Sequence, residues 1–270
     1  MSFVGIDVGG TKCHGVRVDE HGAVLEEIRY PTPHASELVD LLESMFHELS
    51  GTQTLGVGVP GLITPDGIVR ASPNMKGAHN IAVGPELRSR LGISVHVEND
   101  ATMAAYGEWK AGAASGAMNA VIVTLGTGIG GGIVLNGQLL RGAFGIAAEF
   151  GHLRVVPDGH LCGCGARGCF EQYASGNALL RHAREAISAS PEIARNLLSR
   201  GDGTIAGLTG QAITDAAREG DPVALAAFNT TGQWLGAGIA SLSVLLDPSC
   251  FIIGGGVIDA GEILLKPTRE

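Results

Sequence analysis

Residues 3–12 read Phe3-Val4-Gly5-Ile6-Asp7-Val8-Gly9-Gly10-Thr11-Lys12, and the fold is read outward from this stretch. Its apolar half predicts a strand over 3–8. The glycine pair turns the chain back into a strand over 14–18, and a second turn at His21-Gly22 leads into a strand over 23–30. The same signature returns later: strand Ala120–Leu125, a glycine loop over 126–132, and strand Gly132–Leu135. Two halves that each open strand, glycine turn, strand predict an α/β chain of two mixed-sheet domains with a cleft between them, where ligands favour binding. The small residues of 112–116 read as a hinge, dividing an N-terminal α/β domain, 1–112, from a C-terminal one, 113–270.

The intervening segments supply the helices of such domains. Leu38, Leu41, Leu42, Met45, Phe46 and Leu49 recur at helical spacing, with Ser36 as the expected N-cap and Gly51 as the stop. A buried strand, Leu55-Gly56-Val57-Gly58-Val59, ends at Pro60-Gly61. After a loop punctuated by Pro and Gly, a strand over 94–98 runs into a helix beginning near Asp100. Further helices are expected near 176–188, 211–219 and 222–245, before a last strand, Cys250–Ile253, that ends in Gly254-Gly255-Gly256.

Composition narrows the partners. The 270 residues are 45% hydrophobic and 17% charged, enough for packed cores. The 42 glycines, about twice the usual share, are not periodic; they cluster where backbone must turn tightly or approach a ligand. A formal net charge of −9 argues against nucleic acid, which requires an excess of Lys and Arg, yet permits one nucleotide held by backbone N–H groups and a cation. No apolar run approaches a bilayer span and no secretory leader pattern is visible, so the expected location is the cytoplasm.

Four constellations carry chemistry. In Asp7-Val8-Gly9-Gly10-Thr11-Lys12, backbone N–H groups, a hydroxyl and an ammonium can meet phosphate oxygens; an ordinary hairpin turn is the alternative. Thr124-Leu125-Gly126-Thr127-Gly128-Ile129-Gly130-Gly131-Gly132 has dinucleotide-like spacing but leads into a strand, so the Rossmann reading fails. A phosphate-cradling hairpin tip or a purely structural turn is left, and Gly254-Gly255-Gly256 makes a third glycine turn after an apolar strand. At Glu98-Asn99-Asp100-Ala101 a strand meets a helix. There Asp100 is either an N-cap or a carboxylate able to take a proton from a sugar hydroxyl attacking a γ-phosphate, with Asn99 bonding the same sugar.

The fourth constellation is the most specific. His152, Cys162, Cys164 and Cys169 offer one imidazole and three thiolates, a tetrahedral set suited to a closed structural zinc site rather than a catalytic one. Five cysteines with three inside eight residues favour a metal over disulfides, and reduced buried cysteines are the alternative.

Together these residues resemble the ROK family of repressors, open reading frames and sugar kinases, within the hexokinase and actin-like ATPase superfamily. The resemblance runs from Gly5 to about Val257. Its most specific element is His152 with Cys162-Gly163-Cys164-Gly165-Ala166-Arg167-Gly168-Cys169-Phe170-Glu171. Glu98-Asn99-Asp100-Ala101, the stretch from Gly142-Ala143-Phe144-Gly145 to Glu149-Phe150-Gly151-His152, and Glu171-Gln172-Tyr173-Ala174-Ser175-Gly176 are most similar to the family's actinobacterial-type glucokinases.

The resemblance implies a two-domain, actin-like, ribonuclease H-like fold and transfer of phosphate from ATP to the 6-hydroxyl of a hexose, glucose first. Asp100 would be the base; Gly61, Asn74, Asn99, Glu149, His152 and Glu171 would hold the sugar, with His152 binding zinc through its other nitrogen. Gly10, Thr11, Lys12, Thr127 and Gly128 would surround the ATP phosphates, Asp7 would lie near Mg²⁺, and Gly255 and Gly256 would approach the nucleotide. A homo-oligomer, dimer or tetramer, is also implied. Family members continue through another strand and helix, so the C-terminus at Glu270 reads as shortened. Alternatives are a fructose or N-acetylhexosamine kinase, a polyphosphate donor, or a silent sugar-binding module. A repressor would carry a helix-turn-helix ahead of the first glycine turn, and only six residues precede Asp7.

Overall fold

The computed structural model describes residues 2–50, 53–72, 75, 77–189 and 195–270. The chain divides into two compact units: Met1–Met118 with Gly132–Ala148, and Asn119–Gly131 with Glu149–Glu270.

In the first unit the strands β1 (Ser2–Val8), β2 (Lys12–Asp19) and β3 (Val24–Pro31) form an antiparallel meander. Helix α1 (Leu38–Glu48) then leads to β4 (Thr54–Val59). Three short strands, β5 (Leu62–Ile63), β6 (Val69–Ala71) and β7 (His79–Ile81), make a small sheet of their own. Helix α2 (Val83–Leu91), β8 (Ser94–Asn99) and α3 (Asp100–Ala111) follow. The large sheet has the order β3-β2-β1-β4-β8, with β4 parallel to both β1 and β8. Alternation along β1 buries Val4, Ile6 and Val8 against Leu38, Leu42, Met45 and Phe46 of α1 and against Leu55 and Val57 of β4.

The second half repeats the plan. Strands β9 (Ala120–Leu125), β10 (Ile129–Leu135) and β11 (Gln138–Leu139) precede the helices α4 (Glu171–Ala174), α5 (Gly176–Ala189), α6 (Arg195–Leu198), α7 (Gly210–Arg218) and α8 (Pro222–Leu246). Strand β12 (Cys250–Gly254) and helix α9 (Glu262–Arg269) close the described chain. The order β11-β10-β9-β12, with β12 parallel to β9, copies β3-β2-β1-β4. Asp221 caps α8 by accepting from Val223 N and Ala224 N, both at 3.0 Å, and Pro222 occupies the first turn, where its missing N–H costs nothing. Among the described residues no helix is long and apolar enough to cross a membrane.

Several local readings change. Ser36 does not cap α1. A single 3-10 turn, Ala35–Glu37, comes first, and His34 Nδ1 accepts from Ser36 N. Strand β10 starts at Ile129, so the glycines at 130–132 belong to a strand and not to a loop. Close packing explains Gly131: a Cβ there would overlap the Ile122 carbonyl and stand 2.6 Å from the Phe150 ring. Helix α2 and the strands β5–β7 lie inside the stretch that reads as loop, because Gly84 and Pro85 interrupt the helical pattern and each strand is too short to show alternation. The first unit also takes in 132–148, the outer part of the second hairpin, since Gly132 packs on Ala105 of α3.

Candidate active site

Among the described residues, the candidates lie in two clusters, one in each unit. In the first, they stand at the carboxyl ends of parallel strands, the edge where open α/β sheets bind ligands. Asp7, Gly58 and Glu98 lie on one cross-strand row, since Asp7 is in register with Gly58 and Gly58 with Glu98. The bare Cα of Gly58 leaves room for carboxylates on both sides: a Cβ there would be 3.4 Å from Asp100 Cα and 3.7 Å from Asp7 Oδ1. Packed neighbours strip part of the water from the Asp7 carboxylate although its residue surface is exposed, and the negative charge of Asp100 adds to that. Together they hold its pKa above the ordinary 3.8, against the opposing pull of His14 and Lys12. A carboxylate raised in this way is one that a cation would stabilise.

Asn99, not Asp100, caps α3. Its Oδ1 accepts from Thr102 N at 3.1 Å, and its Nδ2 donates to the Gly61 carbonyl at 3.1 Å. Asp100 is thereby the first helical residue, with Oδ1 accepting from Ala101 N at 2.8 Å and the carboxylate half-buried. Gly61 has φ 118°, and a Cβ would overlap the Ala71 carbonyl, so only glycine fits the bend that brings its carbonyl to Asn99. Asn74 lies outside the described residues. The tip of the β1–β2 hairpin leaves Gly10, Thr11 and Lys12 exposed. Thr32 pins it, donating from Oγ1 to Gly9 O at 2.6 Å and from N to Thr11 O at 3.1 Å.

In the second unit, the ligand atoms of His152, Cys162, Cys164 and Cys169 all lie within 4.8 Å of one another. A tetrahedral zinc with bonds of about 2.3 Å needs edges of about 3.8 Å. Cys164 Sγ to Cys169 Sγ and Cys162 Sγ to His152 Nδ1 are both 3.6 Å. That spacing is far too long for a disulfide, and all five cysteines are free. Burial pushes the Cys162 and Cys169 thiols up, whereas the Ala166 N–H beside Cys164 draws that one down. The set fits zinc. His152 turns Nδ1 toward Cys162 Sγ, and its Nε2 stands 4.0 Å from Glu149 Oε2.

Glu171 joins this loop to the glycine turn. Its Oε1 accepts from Cys162 Sγ at 3.0 Å, and its Oε2 accepts from Ile129 N at 3.4 Å, packed so closely that a side chain on Gly128 would overlap it. Thr127 and Gly128 are held from the other side by the start of α5, where Gly176 N donates to Gly126 O at 2.9 Å and Asn177 N to Thr127 O at 3.3 Å. Gly255, with φ 92°, lies against Leu125 of the same turn, and Gly256 opens a 3-10 turn beside it.

The structure thus adds Gly58, Thr32, Gly176 and Glu98 to the residues that shape the two clusters. Glu98 and Gly176 have local signals, since Glu98 adjoins Asn99-Asp100 and Gly176 ends the stretch that begins at Glu171. The others take their places through contacts distant in sequence.

Residues 3–270 match the model of the ROK family. The glucokinase of Streptomyces coelicolor is 45% identical over 99% of this chain and 86% of its own length. That of Thermotoga maritima is 38% identical over 100% and 86%. A solved ROK family glucokinase from Streptomyces griseus, in complex with glucose and AMPPNP, is 45% identical and has a TM-score of 0.87, with 100% of this chain and 88% of that one covered.

Proposed function

The chain belongs to the ROK family, and we propose that within it this chain is a glucokinase, transferring the γ-phosphoryl group of ATP to the 6-hydroxyl of glucose. The observation that carries this reading is 45% identity to a glucokinase over nearly the whole chain. The half-buried carboxylate of Asp100, at a helix N-terminus and beside Asp7, supports it chemically.

In this reading, Asp100 takes the proton of the 6-hydroxyl as that oxygen attacks the γ-phosphorus. The new O–P bond forms as the bond to the β-phosphate oxygen breaks, and ADP leaves. Gly61, Asn74, Asn99, Glu149, His152 and Glu171 bind the remaining hydroxyls. A donor and acceptor set of this kind rejects analogues that lack a hydroxyl. His152 offers Nε2 to the sugar because its Nδ1 faces the sulfurs, and a metal there fixes the tautomer. Gly10, Thr11, Lys12, Thr127 and Gly128 receive the ATP phosphates, and Gly255 and Gly256 the rest of the nucleotide. Bound Mg²⁺ supplies charge neutralisation on the phosphates, with Asp7 as its protein partner. Zinc held by His152, Cys162, Cys164 and Cys169 supplies structure only, because four protein ligands leave no open position.

The reading includes a cytoplasmic homo-oligomer, dimer or tetramer, without nucleic acid; a monomer mass in solution overturns the oligomer. The test of function is ADP release from Mg²⁺·ATP across glucose, fructose, mannose, N-acetylglucosamine and N-acetylmannosamine. Turnover highest on glucose is expected. A preference for another sugar changes the acceptor, and turnover with polyphosphate alone changes the donor. Silence on all five with either donor overturns the kinase.

A further inference from the structure

Arg141 and Glu98 form a contact that the catalytic assignments leave unused. Arg141 Nε donates to Glu98 Oε2 at 2.5 Å, and the Glu98 side chain is only 13% exposed. A carboxylate so far removed from water is costly unless paired, and Arg141 is its partner. Glu98 shares a sheet row with Asp7 and immediately precedes Asn99 and Asp100.

Arg141 also begins a strap. Leu140 N donates to Ile133 O at 2.8 Å, which roots the segment on β10, and Ala147 N donates to Arg141 O at 3.2 Å, which folds it into a loop. Within that loop Gly145, with φ 78°, lies so close to the Ile63 carbonyl that a Cβ would overlap it. Ile63 follows Gly61, whose carbonyl accepts from Asn99, the neighbour of Glu98. The contacts therefore close on themselves: Arg141 to Glu98, Asn99 to Gly61, Ile63 to Gly145, and back along the strap to Arg141. Gly61 and Asn99 sit on this ring, and Asp100 immediately follows Asn99.

We propose that Arg141 is a positioning residue: through Glu98 it closes a ring of contacts that braces the hexose-binding residues Gly61 and Asn99 and the start of the helix bearing Asp100. It touches neither the sugar nor the phosphates. Its role toward hexose rests on the glucokinase reading, whereas the bracing itself does not.

The variants Arg141→Ala, Arg141→Lys, Glu98→Gln and the double Arg141→Ala/Glu98→Gln, compared with the wild type, test this. Loss of one partner of a charge-assisted pair should raise KM for glucose about tenfold while KM for ATP stays within about twofold. Arg141→Lys, which keeps the charge but not the fork, should recover part of the loss. The double variant should be no worse than Arg141→Ala, because both changes break one contact. Amide hydrogen exchange at Ala101, Thr102 and Ile63 should quicken in Arg141→Ala and be unchanged in the β2–β3 hairpin. Unchanged exchange at those three amides overturns the bracing whether or not the wild type phosphorylates glucose. Faster exchange with an inactive wild type keeps the bracing and sinks the glucokinase reading. Equal rises in both KM values, or an unchanged KM for glucose in an active enzyme, remove the role toward hexose.

Discussion

Gly238 and Gly107 are both interior residues of helices, α8 and α3, and the same substitution should move stability in opposite directions at the two positions. Alanine in place of glycine in an exposed helix gains about 1 kcal/mol of helix propensity. At Gly107 nothing lies within 4 Å of the added methyl group, so Gly107→Ala should keep that gain. At Gly238 the methyl would stand 2.8 Å or less from three atoms of the Phe170 ring. Phe170 is 2% exposed and has little room to retreat. Its neighbours hold it from both sides, Cys169 through the cysteine cluster and Glu171 through Ile129 N. Overpacking of this kind costs about 1–3 kcal/mol, and the upper figure applies where the ring is clamped.

The net expectation for Gly238→Ala is a loss of about 2 kcal/mol, or roughly 4–8 °C in Tm for a chain of this size, against a rise of roughly 2–4 °C for Gly107→Ala. Thermal unfolding of the two variants beside the wild type is the assay, with zinc content measured on the same samples. Zinc retention should fall in Gly238→Ala, since the displaced ring lies between Cys169 and Glu171. A higher Tm in both variants would refute the packing argument, because helix propensity alone would then account for the result.

Asp100→Asn should lower kcat by about 10²–10⁴-fold with glucose affinity nearly kept, as read by a coupled ADP assay and by titration with glucose; an unchanged kcat removes Asp100 as the base. Metal analysis should find about one zinc per chain, and Cys164→Ser should lose it together with thermal stability; equal stability without zinc would reject the site. Asp7 has a folded-state pKa above its ordinary 3.8, so its contribution to stability is present below that pH and is lost as pH rises through the folded value. Asp7→Asn should therefore raise Tm at pH 7 in the absence of Mg²⁺·ATP, make little difference below pH 3.8 if both proteins stay folded, and abolish turnover. A Tm at pH 7 below that of the wild type would contradict the sign.

Much of the fold was legible because it rests on local signals. Apolar alternation followed by Gly9-Gly10 marks the first hairpin, and Ala120–Leu125 followed by Gly126 marks the second. The long apolar run after Asp221-Pro222 marks α8 almost to the residue, since cap and N-terminal proline act within one turn. The cysteine loop was legible too, because Cys162-Gly163-Cys164 and Cys169 are close in sequence and His152 is ten residues before Cys162. Elements with weak local patterns were not: β5–β7 are two or three residues each, and Gly84-Pro85 disguises α2.

What stayed out of reach depends on contacts between residues distant along the chain. Asn99 rather than Asp100 caps α3 because Gly61, 38 residues earlier, anchors its amide. Gly131 and Gly132 are glycines within a strand because Ile122, Phe150 and Ala105 leave no space for side chains there, a fact no run of glycines can announce. Arg141 meets Glu98 across 43 residues, and Glu171 meets Ile129 across 42. Residue types and short-range periodicity carry the kinds of chemistry and the order of elements. Which carboxylate is paired and which nitrogen of His152 faces the sulfurs follow from steric exclusion and desolvation, and those exist only once each unit has packed its own core.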